Sequence, residues 1–140
     1  RAGGGPVRRT PRAVRLLIDT HVVLWALVDS PRLSLRAREL LADPANECWV
    51  SAASVWEIAI KVVIGKHQLG CSLDELPDAV AEAGFRMLDV RPRHAAAIAS
   101  ANVPHADPFD RLLVAQCEVE TLRLLTADAA LGELPLAVRC

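Results

Sequence analysis

Short apolar runs alternate along this chain with longer segments of mixed polarity. The runs at residues 14–18, 48–50, 85–90 and 122–125 have the continuous apolar character of buried strands, and 135–138 is a shorter candidate. Helical patterns fill the intervals, at residues 21–28, 35–42, 51–64, 72–84, 93–101 and 108–120. Strands that alternate with helices in this way predict an α/β fold whose sheet is mostly parallel and covered on both faces.

The segment 51–64 carries a regular apolar stripe. Trp56, Ile60 and Val63 recur at the i, i+4 and i+7 spacing of one helix face. We predict that the three tryptophans are core or dimer-face residues, in preference to base-stacking platforms, because each lies in an apolar stretch. They are Trp25, Trp49 and Trp56.

Composition places the chain among globular proteins of one domain. It has 140 residues, of which 52% are hydrophobic and 24% charged, which excludes intrinsic disorder. No apolar run approaches the roughly 20 residues that a membrane-spanning helix needs. Four cysteines occur without CxxC or zinc-finger spacing, so we predict reduced, buried thiols and a cytoplasmic protein. P-loop, dinucleotide-binding and hydrolase-elbow motifs are also missing from the sequence.

The formal net charge of −1 conceals an uneven distribution. Residues 1–15 hold five arginines and no acid, so the other 125 residues carry 11 basic against 17 acidic groups, a balance of −6. Residues 1–13 are rich in Gly, Pro and Arg and are predicted to be a flexible leader. Residues 14–140 are predicted to be a single domain. The acidity of that domain argues against binding nucleic acid by bulk charge alone.

Five acidic residues are expected at one edge of the predicted sheet. Parallel strands place the residues that follow their carboxyl ends at a common edge, where ligands of open α/β sheets bind. Such carboxylates repel one another unless one is protonated or a cation binds between them, and Mg²⁺ or Mn²⁺ prefers oxygen ligands of this kind. One such ion activates water, and two clamp a phosphodiester. The five are Asp19, Glu57, Asp107, Asp110 and Asp128.

Each acid also has a purely structural explanation. Ser54-x-x-Glu57 reads as a capping box, and Glu57 is spaced to pair with Lys61 one helical turn later. Asp107 before a proline is a good N-cap, which places Asp110 where a carboxylate favours the helix dipole. The remaining two acids, Asp19 and Asp128, are also common turn residues. Capping alone does not explain why all five share one edge.

Basic and imidazole side chains are weaker signals. Lys61 and Arg111 each lie beside one acid in sequence, but two cations do not balance five carboxylates. His21 and His105 are close to acids, and we predict local hydrogen bonds for both in preference to metal binding, because carboxylates suffice for a hard cation. His67 and His94 carry no functional signal.

Four segments in order resemble the PIN domain, and more narrowly the VapC-type toxins of bacterial toxin–antitoxin pairs, in the branch with a DPFDR motif. The segments are LLIDTHVVLWAL (16–27), VSAASVWEIAIKVVIGK (50–66), HADPFDRLLVAQ (105–116) and LLTAD (124–128). The resemblance covers about residues 14–138. It implies a three-layer α/β/α fold with a mostly parallel central sheet, and a Mg²⁺- or Mn²⁺-dependent endoribonuclease that binds one or two ions.

The resemblance also implies roles for individual residues. The four metal-holding catalytic acids of the family correspond here to Asp19, Glu57, Asp110 and Asp128. Asp107 belongs to the branch motif, as a further ligand or as the N-cap. Three other residues are expected to bind substrate or support the ligands: Thr20, Thr126 and Arg111. The resemblance further implies that the protein forms homodimers and that a small antitoxin protein inhibits it by inserting its tail into the active site.

Two rival functions stay open at the level of sequence. One is a catalytically inactive α/β module that only binds a partner. The other is a different Mg²⁺-dependent phosphoryl-handling domain, such as a receiver with Asp19 or Asp128 as phosphate acceptor. Receivers pair that acceptor with a lysine after a late strand, and this chain has no lysine beyond Lys66.

Overall fold

The structure is a computed structural model in which residues 13–104 and 107–140 are described. The predictions made for residues 1–12 of the leader and for His105 lie outside the described residues. Of the described helices, none combines the length and the apolar character that crossing a membrane requires. All four cysteines are free thiols, and Cys48 and Cys117 are buried as predicted, whereas Cys71 and Cys140 are only partly buried.

A five-stranded, fully parallel sheet forms the centre of the molecule. Its order is β3-β2-β1-β4-β5, so the first strand lies in the middle and the chain moves outward on either side of it. Leu17 of β1 lies opposite Trp49 of β2 and Leu124 of β4. The strands are β1 (Arg15–Ile18), β2 (Glu47–Ser51), β3 (Arg86–Leu88), β4 (Arg123–Thr126) and β5 (Ala137–Arg139).

Six helices within the described residues cover both faces of the sheet. Alternate residues of a strand point to opposite faces, and the core divides accordingly into two clusters. Leu16 and Ile18 pack on one face with residues of α1 to α4, and Leu17 packs on the other with residues of α5 and α6. The predicted three-layer α/β/α arrangement is confirmed. The helices are α1 (Thr20–Leu27), α2 (Leu35–Ala42), α3 (Ala52–Val63), α4 (Leu76–Glu82), α5 (Pro92–Ala97) and α6 (Pro108–Glu120).

Several element boundaries differ from those predicted. The strand predicted at 85–90 is only Arg86–Leu88, because its single neighbour β2 ends at Ser51, opposite Leu88. The last strand begins at Ala137, two residues later than predicted. The helix predicted from Ser72 starts as a 3-10 turn at Leu73–Glu75, with Glu75 accepting a hydrogen bond from the Ser72 backbone N–H.

The helix predicted at 93–101 ends early, at Ala97. The backbone N–H groups of residues 98–100 bond to carbonyls three residues back, as in a 3-10 turn. A tighter last turn of this kind is a common way to end a helix.

The apolar stripe of α3 is not its buried face. Ala53, Ser54 and Ile58 are the buried residues of this helix. Trp56 and Val63 are 61% and 76% exposed. The periodicity therefore identifies a helix correctly, but the sheet and α1 cover a different side of it from the most apolar one.

Candidate active site

All five predicted acids line one cavity of about 220 Å³, together with His21, Lys61 and Leu131. Asp19 follows the central strand β1 directly, and Asp128 lies two residues beyond the end of β4. Glu57 is in the second turn of α3, and the other two acids open α6. The cavity therefore sits at the carboxyl edge of the sheet, where the sequence pattern predicts it.

Asp19 is the most deeply placed acid of the cavity, with 5% of its surface exposed. Burial raises the pKa of its carboxyl group, and the hydrogen bond that Thr126 Oγ1 donates to Asp19 Oδ2 at 2.8 Å lowers it in part. The same hydroxyl oxygen accepts a hydrogen bond from the Asp128 backbone N–H at 3.0 Å. Thr126 thus connects two of the predicted metal ligands.

The residue after Asp19 takes part in another buried side-chain contact. Thr20 Oγ1 and Ser54 Oγ are 2.8 Å apart and buried, so they hold the starts of α1 and α3 together. Ser54 is consequently not the N-cap of α3, and the predicted Ser54-x-x-Glu57 capping box is wrong. Ser51 is the N-cap instead, and its side chain accepts a hydrogen bond from the Ala53 backbone N–H. Glu57 therefore has no capping role.

Lys61 contributes a positive charge to the cavity. Its Nζ lies 3.3 Å from Glu57 Oε2, in the predicted i, i+4 pair, and both side chains are largely buried. Arg111 is not among the residues that line the cavity. Its Nη1 instead lies 3.4 Å from the Ala101 carbonyl oxygen.

Asp107 and Asp110 reach the cavity from the first turn of α6. Asp107 is its N-cap, as predicted, with Oδ1 accepting from the Phe109 N–H at 2.8 Å and the Asp110 N–H at 3.3 Å. The pKa of Asp110 is raised to about 7, first by burial and then by the negative charges of the other four acids.

This raised pKa has a consequence for the metal-free protein. The folded chain holds the Asp110 proton more tightly than the unfolded chain, in which the pKa is close to 3.8. Ionising Asp110 as the pH rises from about 4 to 7 therefore costs folding free energy. A bound cation would reverse this cost, because it stabilises the ionised form.

Asp128 also has a local structural role. Its Oδ1 accepts a hydrogen bond from the Leu131 backbone N–H at 2.9 Å and so caps the 3-10 turn Leu131–Glu133. A capping carboxylate keeps further lone pairs available. The turn thereby fixes the position of Asp128 in the cavity lining and leaves carboxylate lone pairs for a further contact.

The donor set of the cavity fits a hydrated hard cation. Five carboxylates against one ammonium give a formal charge of −4 when all are ionised and His21 is neutral. Within residues 13–104 and 107–140, no three His, Cys, Asp or Glu side chains lie close enough together to hold an ion directly. Mg²⁺ keeps several waters and takes only one or two carboxylates directly. A cavity of about 220 Å³ has room for such an ion with its waters.

Two features of the site were not predicted. His21 was expected to bond locally along its helix, but it lines the acidic cavity, with its ring 6.1 Å from that of Trp25. Its place two residues after a strand-terminal aspartate is the signal that could have indicated this. The buried hydroxyl of Ser54 was assigned to capping, and no local pattern indicates that it pairs with Thr20.

The chain is similar to proteins of one family. Residues 16–135 match the PIN domain family. Ribonuclease VapC22 from Mycobacterium tuberculosis (strain ATCC 25618 / H37Rv) is 32% identical over 117 residues, which are 83% of this chain and 88% of that protein.

Two solved structures share the fold. VapBC2 from Rickettsia felis, bound to a DNA fragment from its promoter, superposes with a TM-score of 0.63 at 14% identity, over 91% of this chain and 98% of that one. A toxin–antitoxin complex from Klebsiella pneumoniae superposes with a TM-score of 0.60 at 17% identity, over 88% and 95%. At sequence identities of 14% and 17%, the superpositions show a shared fold and nothing further.

Proposed function

This chain belongs to the PIN domain family, with a VapC-type ribonuclease among its relatives, and we propose that it is a Mg²⁺- or Mn²⁺-dependent endoribonuclease, the toxin of a toxin–antitoxin pair. The observation that carries the proposal is the gathering of five carboxylates in one cavity at the carboxyl edge of the sheet. A module that only binds a partner has no need of this concentration of negative charge, whose mutual repulsion destabilises the fold.

Four acids of the cavity would hold one or two hydrated ions, partly through the waters of the ion: Asp19, Glu57, Asp110 and Asp128. When bound, the metal supplies an activated water and neutralises charge that develops on the phosphodiester. Thr126 orients Asp19 through its hydrogen bond, which favours the ionised carboxylate and so offsets in part the pKa rise that burial causes. Asp107 presents the first turn of α6, and so Asp110, to the cavity. The hydroxyl pair of Thr20 and Ser54 fixes the helices that carry Asp19 and Glu57.

Removal of divalent cations is expected to abolish cleavage of single-stranded RNA. EDTA should stop cleavage, and excess Mg²⁺ should restore it. Mg²⁺ should also raise the melting temperature, since a ligand at 100 times its Kd stabilises the folded state by about 2.7 kcal/mol. The shift should shrink as the pH falls below about 7, where protons compete for Asp110.

Two results would count against this function. Equal cleavage in Mg²⁺ and in EDTA would exclude metal dependence. No cleavage in either condition, together with an unchanged melting temperature, would favour the inactive binding module.

A small antitoxin protein is the second proposed partner. The structurally similar complex from Klebsiella pneumoniae is a toxin–antitoxin complex, which supports this proposal. A cavity with a formal charge of −4 would also attract a basic peptide tail. We expect a short reading frame next to the gene for this chain, and we expect that reading frame to encode a DNA-binding protein. Its product should bind this chain and inhibit RNA cleavage, and a purified product that leaves cleavage unchanged would contradict the proposal.

We also propose that the chain forms a homodimer. The outward stripe of α3 continues from Trp56 to Val63 and Ile64, which are between 58% and 76% exposed. Beside it lies an apolar pocket of about 240 Å³ formed with residues of α5 and α6, including Ile98 and Phe109. Contiguous apolar surface of this kind is typical of protein–protein contacts. A second copy of the chain is the partner that we propose for it.

A further inference from the structure

The cavity combines a strongly negative wall with one ammonium group. Among the described residues that line it, Lys61 is the only lysine or arginine. Its side chain is 24% exposed, and its Nζ lies 3.3 Å from Glu57 Oε2. RNA must bring a phosphate into this space, and the carboxylates repel that phosphate at every approach.

The single ammonium group of the cavity lies on its α3 side. Lys61 lies one turn beyond Glu57 on this helix, and His21 of α1 lines the same cavity. An RNA strand that crosses the site would therefore meet its most favourable potential along this side.

We propose that Lys61 binds a phosphate oxygen of the RNA strand next to the cleaved linkage, exchanging its Glu57 partner for the phosphate. This inference rests on the proposed ribonuclease function and names a substrate-binding residue of the same site. Once Glu57 binds a cation, its charge is compensated, and the ammonium 3.3 Å away needs another anion. Phosphate of the substrate is the anion that the reaction brings to this position.

The exchange is energetically accessible. Once a cation compensates Glu57, Lys61 exchanges one anionic partner for another, so neither charge is left buried without a partner. A lysine carries its charge on a flexible four-carbon stem with three donors, which suits a single phosphate oxygen whose position varies. If Lys61 acted only as a helical pair, its removal would change helix stability slightly and leave RNA binding unaltered.

The test compares Lys61→Met, Lys61→Arg and Lys66→Met in Mg²⁺-dependent cleavage of single-stranded RNA over a series of salt concentrations. Lys66 is an exposed lysine five residues further on that does not line the cavity, so it is the matched control. For Lys61→Met we expect KM to rise about tenfold with kcat within about twofold, as for loss of one charged binding contact. Lys61→Arg should restore most of the affinity.

The salt dependence of RNA binding distinguishes a phosphate contact from a structural role of Lys61, because a structural role would leave that dependence unchanged. Each phosphate contact contributes about 0.7 to the slope of log affinity against log salt for single strands. We expect the slope measured from 1/KM to fall by about 0.7 in Lys61→Met and to stay unchanged in Lys66→Met. Melting temperature and the Mg²⁺-induced shift in melting should remain close to those of the wild type.

Two outcomes separate this inference from the function on which it rests. If the wild type cleaves RNA in a Mg²⁺-dependent way but Lys61→Met keeps its KM and salt slope, Lys61 is only a helix partner of Glu57. If the wild type shows no Mg²⁺-dependent cleavage, the ribonuclease function itself fails. A fall in kcat with unchanged KM would also overturn the assignment, because it would place Lys61 outside substrate binding.

Discussion

Asp19→Asn is expected to lower the rate of RNA cleavage by at least about 100-fold, the scale on which loss of one central charge-stabilising group acts. Asp19 is the acid nearest the middle of the sheet, directly after β1, and its exposure is only 5%. Asn has the same shape and retains an oxygen that accepts the hydrogen bond from Thr126. The substitution therefore removes the charge while keeping the surrounding contacts.

The fold should survive this change. Burial raises the pKa of Asp19, so ionised Asp19 is unfavourable in the metal-free protein, and its neutral replacement should leave the melting temperature equal or higher. Mg²⁺ should no longer raise that temperature by the same amount. Cleavage assays and thermal melts with and without Mg²⁺ measure both effects. If Asp19→Asn cleaves RNA at the wild-type rate, Asp19 is not a catalytic residue.

Asp29→Asn is the matched control for the loss of one carboxylate. Asp29 lies beyond the other end of α1, with its side chain 85% exposed and its Oδ1 2.7 Å from Arg38 Nη1. Its φ of 49° is a left-handed conformation that Asn tolerates well. We expect activity and metal response like those of the wild type.

Asp107→Asn separates capping from metal binding at the start of α6. Asn is as good an N-cap as Asp, so the hydrogen bonds to Phe109 and Asp110 should persist. A variant with normal melting and normal cleavage would make Asp107 a cap alone. Normal melting with weakened Mg²⁺ response would make it a further ligand.

Val63→Glu is expected to weaken the proposed homodimer by about 100-fold or more. Val63 is 76% exposed on the stripe of α3 and lies two turns beyond Trp56, away from the acidic cavity. An unpaired carboxylate buried in an apolar interface costs at least 2–3 kcal/mol, or about 100-fold in Kd. Sedimentation or light scattering over a range of protein concentrations would measure the shift toward monomer.

Leu35→Glu provides the control for adding a charge to an exposed apolar position. Leu35 is 72% exposed, but it begins α2 rather than lying on the stripe of α3. A glutamate in the first turn is compatible with the helix dipole, so folding should be unaffected and the dimer retained. A wild type that stays monomeric at every concentration, or equal dissociation of both variants, would exclude the stripe as the dimer contact.

His94 shows how a residue without any sequence signal can be central to packing. It is fully buried, its Nδ1 accepts a hydrogen bond from the Arg91 backbone N–H at 2.9 Å, and its Nε2 lies 2.7 Å from Glu120 Oε2. It therefore joins α5 to the end of α6. A polar side chain in an Ala-rich helix gives no local indication of this, because its partner is 26 residues away in sequence.

Local chemistry was sufficient to predict the parallel α/β architecture, the position of Asp19 after a buried strand and the N-cap at Asp107. Each depends on backbone preferences or on periodicity within a few residues, which the sequence displays directly. The gathering of the acids also followed from the sequence, because the carboxyl ends of parallel strands meet at one edge whatever the details of packing.

Only the tertiary structure decided which faces are covered and how the charges interact. The stripe of Trp56 and Val63 faces outward because the sheet and α1 pack on another side of α3, a choice that periodicity cannot make. Ser54 pairs with Thr20, which is 34 residues away in sequence. The pKa of Asp110 rises to about 7 through burial and then through the charges of the other four acids, three of which lie on other elements. Burial, pairing and electrostatic coupling arise between elements, and for this reason they appear only when the chain is folded.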